Sequence, residues 1–172
     1  MGGECMGRIL LIIAPRNFRD EELFHTKEEL EAAGNSVTIA STTTDTATGM
    51  LGGTSKPDMT INDANVDDYN AVVFVGGAGS SIYFNNPKAH EIARNAFNKG
   101  KVIGAICIAP SILANAGILK GKKVTSWSSE KSNLRSKGAI YTGKSIEKDG
   151  KIITADGPES ARKFGRMIAN SI

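Results

Sequence analysis

The feature that most constrains the fold is a series of short, unbroken apolar runs that alternate with segments of helical spacing. The runs are RILLIIA (8–14), SVTIAS (36–41), AVVFVGG (71–77), KVIGAIC (101–107) and KVTSW (123–127). Runs of this length predict strands that are buried on both faces of a parallel sheet. Between the first two, residues 20–34 predict a helix with acidic residues in its first turn and glycine at its end. This order of strand, helix and strand is a βαβ unit, which requires parallel strands joined by a right-handed crossover.

The remaining segments extend the same alternation to the end of the chain. Further helices are predicted over 86–100, from about Pro110, and over 158–172, and a hairpin turns at Asp149-Gly150. The polar segment 41–70 predicts a loop with a small two-stranded excursion and an edge strand at KPDMTI. Together these elements predict an α/β fold: a three-layer α/β/α sandwich around a mostly parallel, doubly wound sheet. We expect a single domain over residues 8–172, preceded by a disordered leader over residues 1–7.

Composition excludes several classes of function. The chain has 172 residues and a formal charge of +3, and no aromatic residues alternate with its lysines, so we expect neither nucleic acid nor membrane as a partner. No apolar stretch is long enough for a membrane span, and none has the pattern of a signal peptide. Two cysteines do not make a disulfide framework. We therefore expect a cytoplasmic protein. No group of residues has metal-ligand spacing, so no metal or cofactor is predicted.

In a doubly wound sheet, sites lie beyond the carboxyl ends of the strands, and this rule selects Cys107. The order Ala105-Ile106-Cys107-Ile108-Ala109 puts a nucleophile between small residues, where a strand turns sharply into a helix. The helix start and its unpaired amides favour thiolate over the ordinary cysteine pKa of about 8.5. The Ile108 amide would point to a developing oxyanion. The alternative is a buried structural cysteine.

Two other loops at the same edge could contribute. Gly76 and Gly77 follow the third strand; they could present backbone amides to a reactive neighbour, or form a plain turn. The loop is no dinucleotide fingerprint, because Ile82 stands at its sixth position. In FRDEEL (18–23), Glu21 and Glu22 could each exchange a proton with the thiol, or only complement the helix dipole.

His25 lies one helical turn beyond Glu22. It could orient that carboxyl or lie in a subunit interface.

Several of these stretches, in this order, resemble the ThiJ/PfpI family. The resemblance runs from about Arg8 to the C-terminus, and its most specific pieces are NFRDEEL, VVFVGGAG, AICIAPSILANAGILKGKKVTS and ITADGPESARKFG. It implies a flavodoxin-like sandwich with a reactive cysteine at Cys107. The family pattern Phe-x-Asp-x-Glu-Leu selects Glu22 over Glu21 as the acid beside the sulfur. It also implies an oxyanion pocket from the amides of Gly76, Gly77 and Ile108, and assembly as a homodimer or higher homo-oligomer.

The resemblance implies three candidate functions. The first is a hydrolase or lyase that acts on small reactive carbonyls without a cofactor, as a glyoxalase or deglycase does, through the Cys107 thiolate and proton transfer by Glu22. The second is a redox sensor or chaperone-like stress protein whose Cys107 is oxidised. The third is an intracellular cysteine peptidase, which the sequence disfavours because Ile108 replaces the histidine that follows the cysteine in that branch. Trp127 stands where some relatives have a histidine or tyrosine, so a second base could come only from His25 or from a partner subunit.

Overall fold

The computed structural model describes residues 7–172 as five helices and twelve strands. In chain order these are β1 (Arg8–Ile12), β2 (Arg16–Phe18), α1 (Asp20–Ala32), β3 (Ser36–Ser41), β4 (Ala47–Gly49), β5 (Thr54–Ser55), β6 (Met59–Thr60), β7 (Ala71–Phe74), α2 (Pro87–Asn98), β8 (Val102–Ile106), α3 (Pro110–Asn115), β9 (Lys123–Val124), α4 (Lys131–Ser136), β10 (Ile140–Tyr141), β11 (Ile146–Asp149), β12 (Ile152–Ala155) and α5 (Ala161–Asn170). Short 3-10 turns join several of them.

A seven-stranded sheet forms the centre of the molecule, in the order β11-β12-β8-β7-β1-β3-β6. All neighbouring pairs are parallel except β11 and β12, which form the hairpin predicted at Asp149-Gly150. The strand order reverses beside β1, as in doubly wound folds. Because β1, β7, β8 and β12 are parallel neighbours, the loops that follow them converge at one edge of the sheet. The predicted α/β sandwich is confirmed.

Helices cover both faces of this sheet and bury two apolar clusters. One face carries α1 and α5, and the other carries α2 and α3. On the first face, Phe164 and Ile168 of α5 lie so close to Gly104 of β8 that an added Cβ would come within 2.9 Å of both side chains. The missing side chain at Gly104 therefore brings α5 directly onto the strand that carries Cys107 at its end.

The segment 123–127 differs from its prediction as a fifth strand. Only Lys123 and Val124 are extended, and they pair with β10 in a separate two-stranded sheet. The next residue leaves the ladder, because the Thr125 amide donates to the Thr154 hydroxyl (2.9 Å) and the Thr125 hydroxyl donates to the Lys144 carbonyl. Side-chain hydrogen bonds thus replace the backbone pairing that a longer strand would need.

The polar segment 41–70 contains the predicted excursion and edge strand. β4 and β5 form an antiparallel pair, joined by β2, and β6 lies at the edge of the main sheet beside β3. The predicted leader falls mostly on residues 1–6, outside the described residues, whereas the Gly7 carbonyl accepts a hydrogen bond from the Ser36 amide (2.9 Å). Within residues 7–172, no helix combines the length and apolar character that crossing a bilayer requires.

Truncation of Phe164 to alanine tests the contribution of α5. Phe164 is completely buried, so Phe164→Ala should lower the free energy of unfolding by about 3–5 kcal/mol. Phe97→Ala is the matched control, because Phe97 is 40% exposed and its loss should cost less than about 1 kcal/mol. Urea denaturation of both variants measures the difference; equal losses would contradict the packing described.

Candidate active site

Cys107 lies in the sharp turn between β8 and α3, in a backbone conformation that few non-glycine residues adopt. Its φ is 65°, in the left-handed region, which costs of order 1–3 kcal/mol and persists only where the surroundings enforce it. Two hydrogen bonds do so: the Cys107 amide donates to the Ala155 carbonyl (3.0 Å), and its carbonyl accepts from the Trp127 amide (2.8 Å). The predicted turn is present, with its thiol partly exposed.

Gly76 and Gly77 bring the backbone of the neighbouring loop against this turn. A Cβ at Gly76 would lie 2.6 Å from the Cys107 Cβ and would also collide with the Glu22 carboxyl. Gly77 has a φ of 102°, and a Cβ there would collide with the Arg19 amide. The two glycines thus permit an approach that a side chain would block.

The two candidate carboxylates of α1 occupy opposite environments. Glu21 forms an ion pair with the Arg19 guanidinium (2.8 and 3.0 Å), and this hydrogen bonding lowers its pKa. Glu22 is fully buried, and within residues 7–172 neither of its carboxyl oxygens has a hydrogen-bond partner. Burial raises the pKa of Glu22 to about 8. The Cys107 thiol, Arg19 and the Gly76 amide oppose that shift, although neither the thiol nor the amide has the geometry of a full hydrogen bond to the carboxyl.

The pKa of Cys107 shifts opposite to the prediction. Burial, followed by the negative charge of Glu22, raises it to about 12, and the amides of Gly77 and Ile108 only partly oppose these effects. The prediction that the helix start and its amides lower the pKa of Cys107 below the ordinary value is therefore wrong in its net direction, although the Ile108 amide does act to lower it. The physical reason is that α3 is only six residues long and begins three residues beyond the cysteine, whereas desolvation acts on the sulfur directly.

Glu22 and Cys107 must therefore be considered together. At neutral pH a carboxyl with a pKa of about 8 is mostly protonated, and a neutral carboxyl no longer opposes ionisation of the sulfur by its charge. The backbone amides of the two loops divide between the two groups: that of Gly76 lies toward the carboxyl, and those of Gly77 and Ile108 lie toward the sulfur. Glu22 and Cys107 can thus exchange one proton while these backbone amides surround them.

A cavity of about 850 Å³ opens over this pair. Its lining comes from the start of α1, from the turn after β4 and from the segments after β7, β8, β9 and β12. The lining residues are Arg19, Glu22, Met50, Gly77, Ala78, Ser81, Phe84, Cys107, Ile108, Trp127, Ser129, Glu130, Asp156, Gly157, Pro158 and Glu159. Trp127 is in this lining and half exposed. His25 is not in the lining; its charge acts on Glu21 instead. Within residues 7–172, no three His, Cys, Asp or Glu side chains cluster as metal ligands would.

Sequence reasoning missed four charged residues of this cavity: Arg19, Glu130, Asp156 and Glu159. Arg19 stands inside the segment already singled out, but nothing in the sequence distinguished it from a surface arginine. Asp156 directly follows β12, so the rule that sites lie beyond strand ends could have found it. Glu130 could not be found in this way, because the short β9 lies outside the main sheet.

Comparison with known proteins assigns the family. The model of the DJ-1/PfpI family matches residues 7–171. The chain belongs to the DJ-1/PfpI family. Among its relatives, an uncharacterised protein of Methanocaldococcus jannaschii is 45% identical over 96% of this chain and 82% of its own length. A protein of Pyrococcus furiosus named deglycase PfpI is 34% identical over 87% of this chain and 90% of its own length.

Solved structures of the DJ-1/PfpI family agree with this fold. A ThiJ/PfpI domain protein from Brachyspira murdochii superposes with a TM-score of 0.94 at 31% identity, over 98% of this chain and 97% of its own. Drosophila melanogaster DJ-1beta superposes with a TM-score of 0.88 at 30% identity, over 95% and 88% of the two chains. The resemblance drawn from the sequence motifs is thereby confirmed.

The raised pKa of Glu22 predicts a pH-dependent effect of Glu22→Gln on stability. The pKa rises from an ordinary 4.5 to about 8 on folding, so the neutral carboxyl supports the fold fully below about pH 4.5, and this support is lost as pH rises toward 8. The glutamine side chain does not titrate, so its contribution to stability does not fall as pH rises. We expect Glu22→Gln to become more stable relative to the wild type between pH 5 and pH 8, by up to a few kcal/mol at about 1.4 kcal/mol per pKa unit.

Thermal unfolding at several pH values measures this difference. Glu21→Gln is the control, because the pKa of Glu21 is lowered from 4.5 and its effect should stay constant between pH 5 and pH 8. A constant difference for Glu22→Gln as well would contradict the buried, protonated carboxyl.

Alkylation of Cys107 tests the interaction between the two groups. Ionised Glu22 raises the pKa of Cys107, so Glu22→Gln should label with iodoacetamide about tenfold faster at pH 8.5, which corresponds to one pKa unit. The measurement uses a Cys5→Ser background, which leaves Cys107 as the single cysteine. Glu21→Gln should label at the wild-type rate; slower labelling of Glu22→Gln would show that the carboxyl instead favours the thiolate.

Proposed function

We propose that the chain is a cysteine-dependent enzyme that acts on small reactive carbonyls, as a glyoxalase or deglycase does. The observation that carries the proposal is the fully buried, unpaired Glu22 carboxyl beside Cys107, at the floor of an open cavity. Its pKa of about 8 is near the pH of operation, where a general base is most effective. Four relatives from Pyrococcus and Thermococcus, 31–34% identical, carry the name deglycase, which supports the same assignment.

In this proposal Glu22 activates the sulfur only when a substrate is present. The ionised form of Glu22, which is the minority form at neutral pH because the pKa is about 8, takes the proton of Cys107 while the sulfur adds to the aldehyde carbon of methylglyoxal. No free thiolate has to exist beforehand. The new alkoxide oxygen lies within reach of the Gly77 and Ile108 amides, which already favour negative charge at the sulfur. A thiol with a high pKa is compatible with this sequence, because proton transfer and carbon–sulfur bond formation proceed together.

Glu22 then moves a proton between the two carbonyl carbons of the adduct. It first returns the thiol proton to the alkoxide, which gives a hemithioacetal and leaves the carboxyl ionised. The carboxylate then removes the proton from the carbon bound to sulfur and returns it to the neighbouring carbon, through an enediol, which gives a lactoyl thioester. Water hydrolyses the thioester to lactate and restores the thiol. The sum is methylglyoxal plus water to lactate, with no oxidant or reductant; on an amine adduct, the amine leaves as well.

A peptidase function would have no second acid–base group to protonate the leaving amine of a peptide. Ile108 follows the cysteine, and within residues 7–172 the cavity lining contains no histidine. His25 lies outside that lining, so Glu22 alone would have to serve the nucleophile and the leaving group.

Redox sensing is a second candidate function, supported by the polar groups around the sulfur. The partly exposed sulfur lies beside a carboxyl that holds its proton at neutral pH and beside two amides. These donors could stabilise the oxygens of a sulfinate at Cys107 after oxidation by a peroxide. Oxidised Cys107 under mild peroxide, with no turnover of dicarbonyls, would favour this function over the enzyme.

Lactate formation from methylglyoxal, without glutathione, tests the proposal. Cys107→Ser and Glu22→Gln should each lose at least about a hundredfold of kcat/KM, because general acid–base steps contribute about 10²–10⁴. Glu21→Gln should keep most of the activity. Loss of activity in Glu22→Gln together with faster alkylation would separate the role of Glu22 in proton transfer from its effect on the sulfur. Full activity in Cys107→Ser would refute the proposal.

A further inference from the structure

A smaller cavity, of about 160 Å³, opens at the edge of the main sheet opposite to Cys107. Lys101 lines this cavity and directly precedes β8, whereas Cys107 directly follows that strand. Lys151 also lines it and directly precedes β12. β8 has five residues, and each residue of a strand extends it by about 3.3 Å. The whole length of the strand therefore separates this cavity from the reaction centre.

Three lysines from separate parts of the chain line the smaller cavity: Lys101 before β8, Lys122 before β9 and Lys151 in the turn between β11 and β12. Main-chain hydrogen bonds hold two of them, because the Lys101 amide donates to the Ala96 carbonyl and the Lys151 carbonyl accepts from the Ile103 amide (both 2.9 Å). Within residues 7–172, none of the three ammonium groups forms an ion pair or a hydrogen bond. Three unpaired positive charges therefore meet at one cavity.

The end of α2 also reaches this cavity, through Phe97 and Gly100. Lysines beside the C-terminus of a helix can serve only to bind its free carbonyls. Here the carbonyls of residues 95–97 already accept hydrogen bonds from the amides of residues 99–101 (2.9–3.2 Å). The three lysines are not needed as caps, so their ammonium groups remain available to a ligand.

The ring of Phe97 gives the cavity an apolar wall beside these charges. Phe97 is 40% exposed, and the Lys122 ammonium lies over its ring, 5.9 Å from the centroid. This cation–π contact restricts the position of the ammonium. A ligand whose charged end binds Lys122 would have its carbon part against the ring.

One acid, Asp149, lines the same cavity. One oxygen of its carboxylate accepts from the Lys123 amide (2.8 Å), and among the described residues it forms no ion pair with the three lysines. With three lysines and one aspartate in the lining, an excess of two positive charges remains. A cavity lined mainly by one sign of charge attracts ligands of the opposite sign.

We propose that this cavity binds a small phosphate monoester, with the phosphate group among Lys101, Lys122 and Lys151 and the carbon part against Phe97. A phosphate monoester carries a charge of about −1.5 to −2 at pH 7, which matches the excess charge of the cavity. Lysine is a common ligand of phosphate, as a point charge. A volume of about 160 Å³ equals that of about five water molecules at about 30 Å³ each, which is close to the size of one phosphate group. The site does not depend on the function proposed for Cys107.

Titration with phenyl phosphate tests the site. Phenyl sulfate is the matched control, because it has nearly the same shape and a single negative charge. Amide signals in nuclear magnetic resonance spectra of the isotope-labelled full chain locate the binding: Gly100 and Lys151 report on the smaller cavity, and Ile108 reports on the reaction centre. Phenyl phosphate should shift the signals of Gly100 and Lys151, with a Kd at least about threefold below that of phenyl sulfate. The difference should shrink at high salt.

Variants of the lining charges should have opposite effects on phenyl phosphate. Lys122→Gln and Lys151→Gln should each raise the Kd by about three- to tenfold. Asp149→Asn should lower the Kd by a similar factor, because asparagine removes the negative charge and keeps an acceptor for the Lys123 amide. Misfolding cannot produce such a gain. Lys163→Gln removes an exposed lysine of α5 outside the cavity and should change the Kd by less than about twofold.

Phe97→Ala tests the apolar wall. It should weaken the binding of phenyl phosphate and leave the binding of inorganic phosphate unchanged, because only the ester has a carbon part that contacts the ring. Equal weakening of both ligands would contradict the orientation proposed.

Four results would overturn the site itself. These are equal Kd values of the wild type for phenyl phosphate and phenyl sulfate, amide shifts confined to the surroundings of Ile108, no gain in Asp149→Asn, and a loss in Lys163→Gln as large as that in Lys122→Gln. Binding should persist in Cys107→Ser. If it does persist and no carbonyl substrate is turned over by the wild type, the phosphate site stands and the proposed function fails.

Discussion

The contact between the Glu22 carboxyl and the Cys107 sulfur is the interaction on which the site depends. Burial opposes the charged form of both groups. The protonation state of each group therefore depends on the charge of the other. The fold permits this by placing Gly76 between them, where a side chain would collide with the carboxyl and with Cys107. A carboxyl without a hydrogen-bond partner destabilises a protein. Its place beside the only cysteine among the described residues indicates that stability is given up here for chemistry.

Much of the fold follows from the sequence because the strands of the central sheet are short apolar runs. β3 was predicted to the residue, and α1, α2, α5 and the hairpin were predicted within a few residues of their ends, whereas α4 and β10 were not predicted. The prediction was wrong for 123–127, where two side-chain hydrogen bonds of Thr125 end the strand. Such bonds depend on Thr154 and Lys144, which are distant in the sequence and close only once the chain has folded.

The site was predictable in position but not in electrostatics. The order of small residues around Cys107 and the diglycine after β7 indicated the turn, which the positive φ of Cys107 confirms. The direction of the cysteine pKa was wrong, because helix position can be read from a sequence whereas the depth of burial cannot. For the same reason Glu21 and Glu22 were equivalent by spacing. The family pattern selected Glu22, and the Arg19 ion pair of Glu21 and the burial of Glu22 give the physical difference between them.

The two hydrogen bonds that hold the backbone of Cys107 also separate the reaction at the sulfur from the binding of the ligand by the cavity wall. The amide and carbonyl of that residue fix the ends of two loops, while the remainder of each loop lines the cavity. Related proteins could therefore acquire new ligand preferences by exchanging wall residues between 127 and 130 or between 156 and 159, without altering the chemistry at the sulfur. The strained backbone of one residue would in this way keep the reaction centre the same in proteins that bind different ligands.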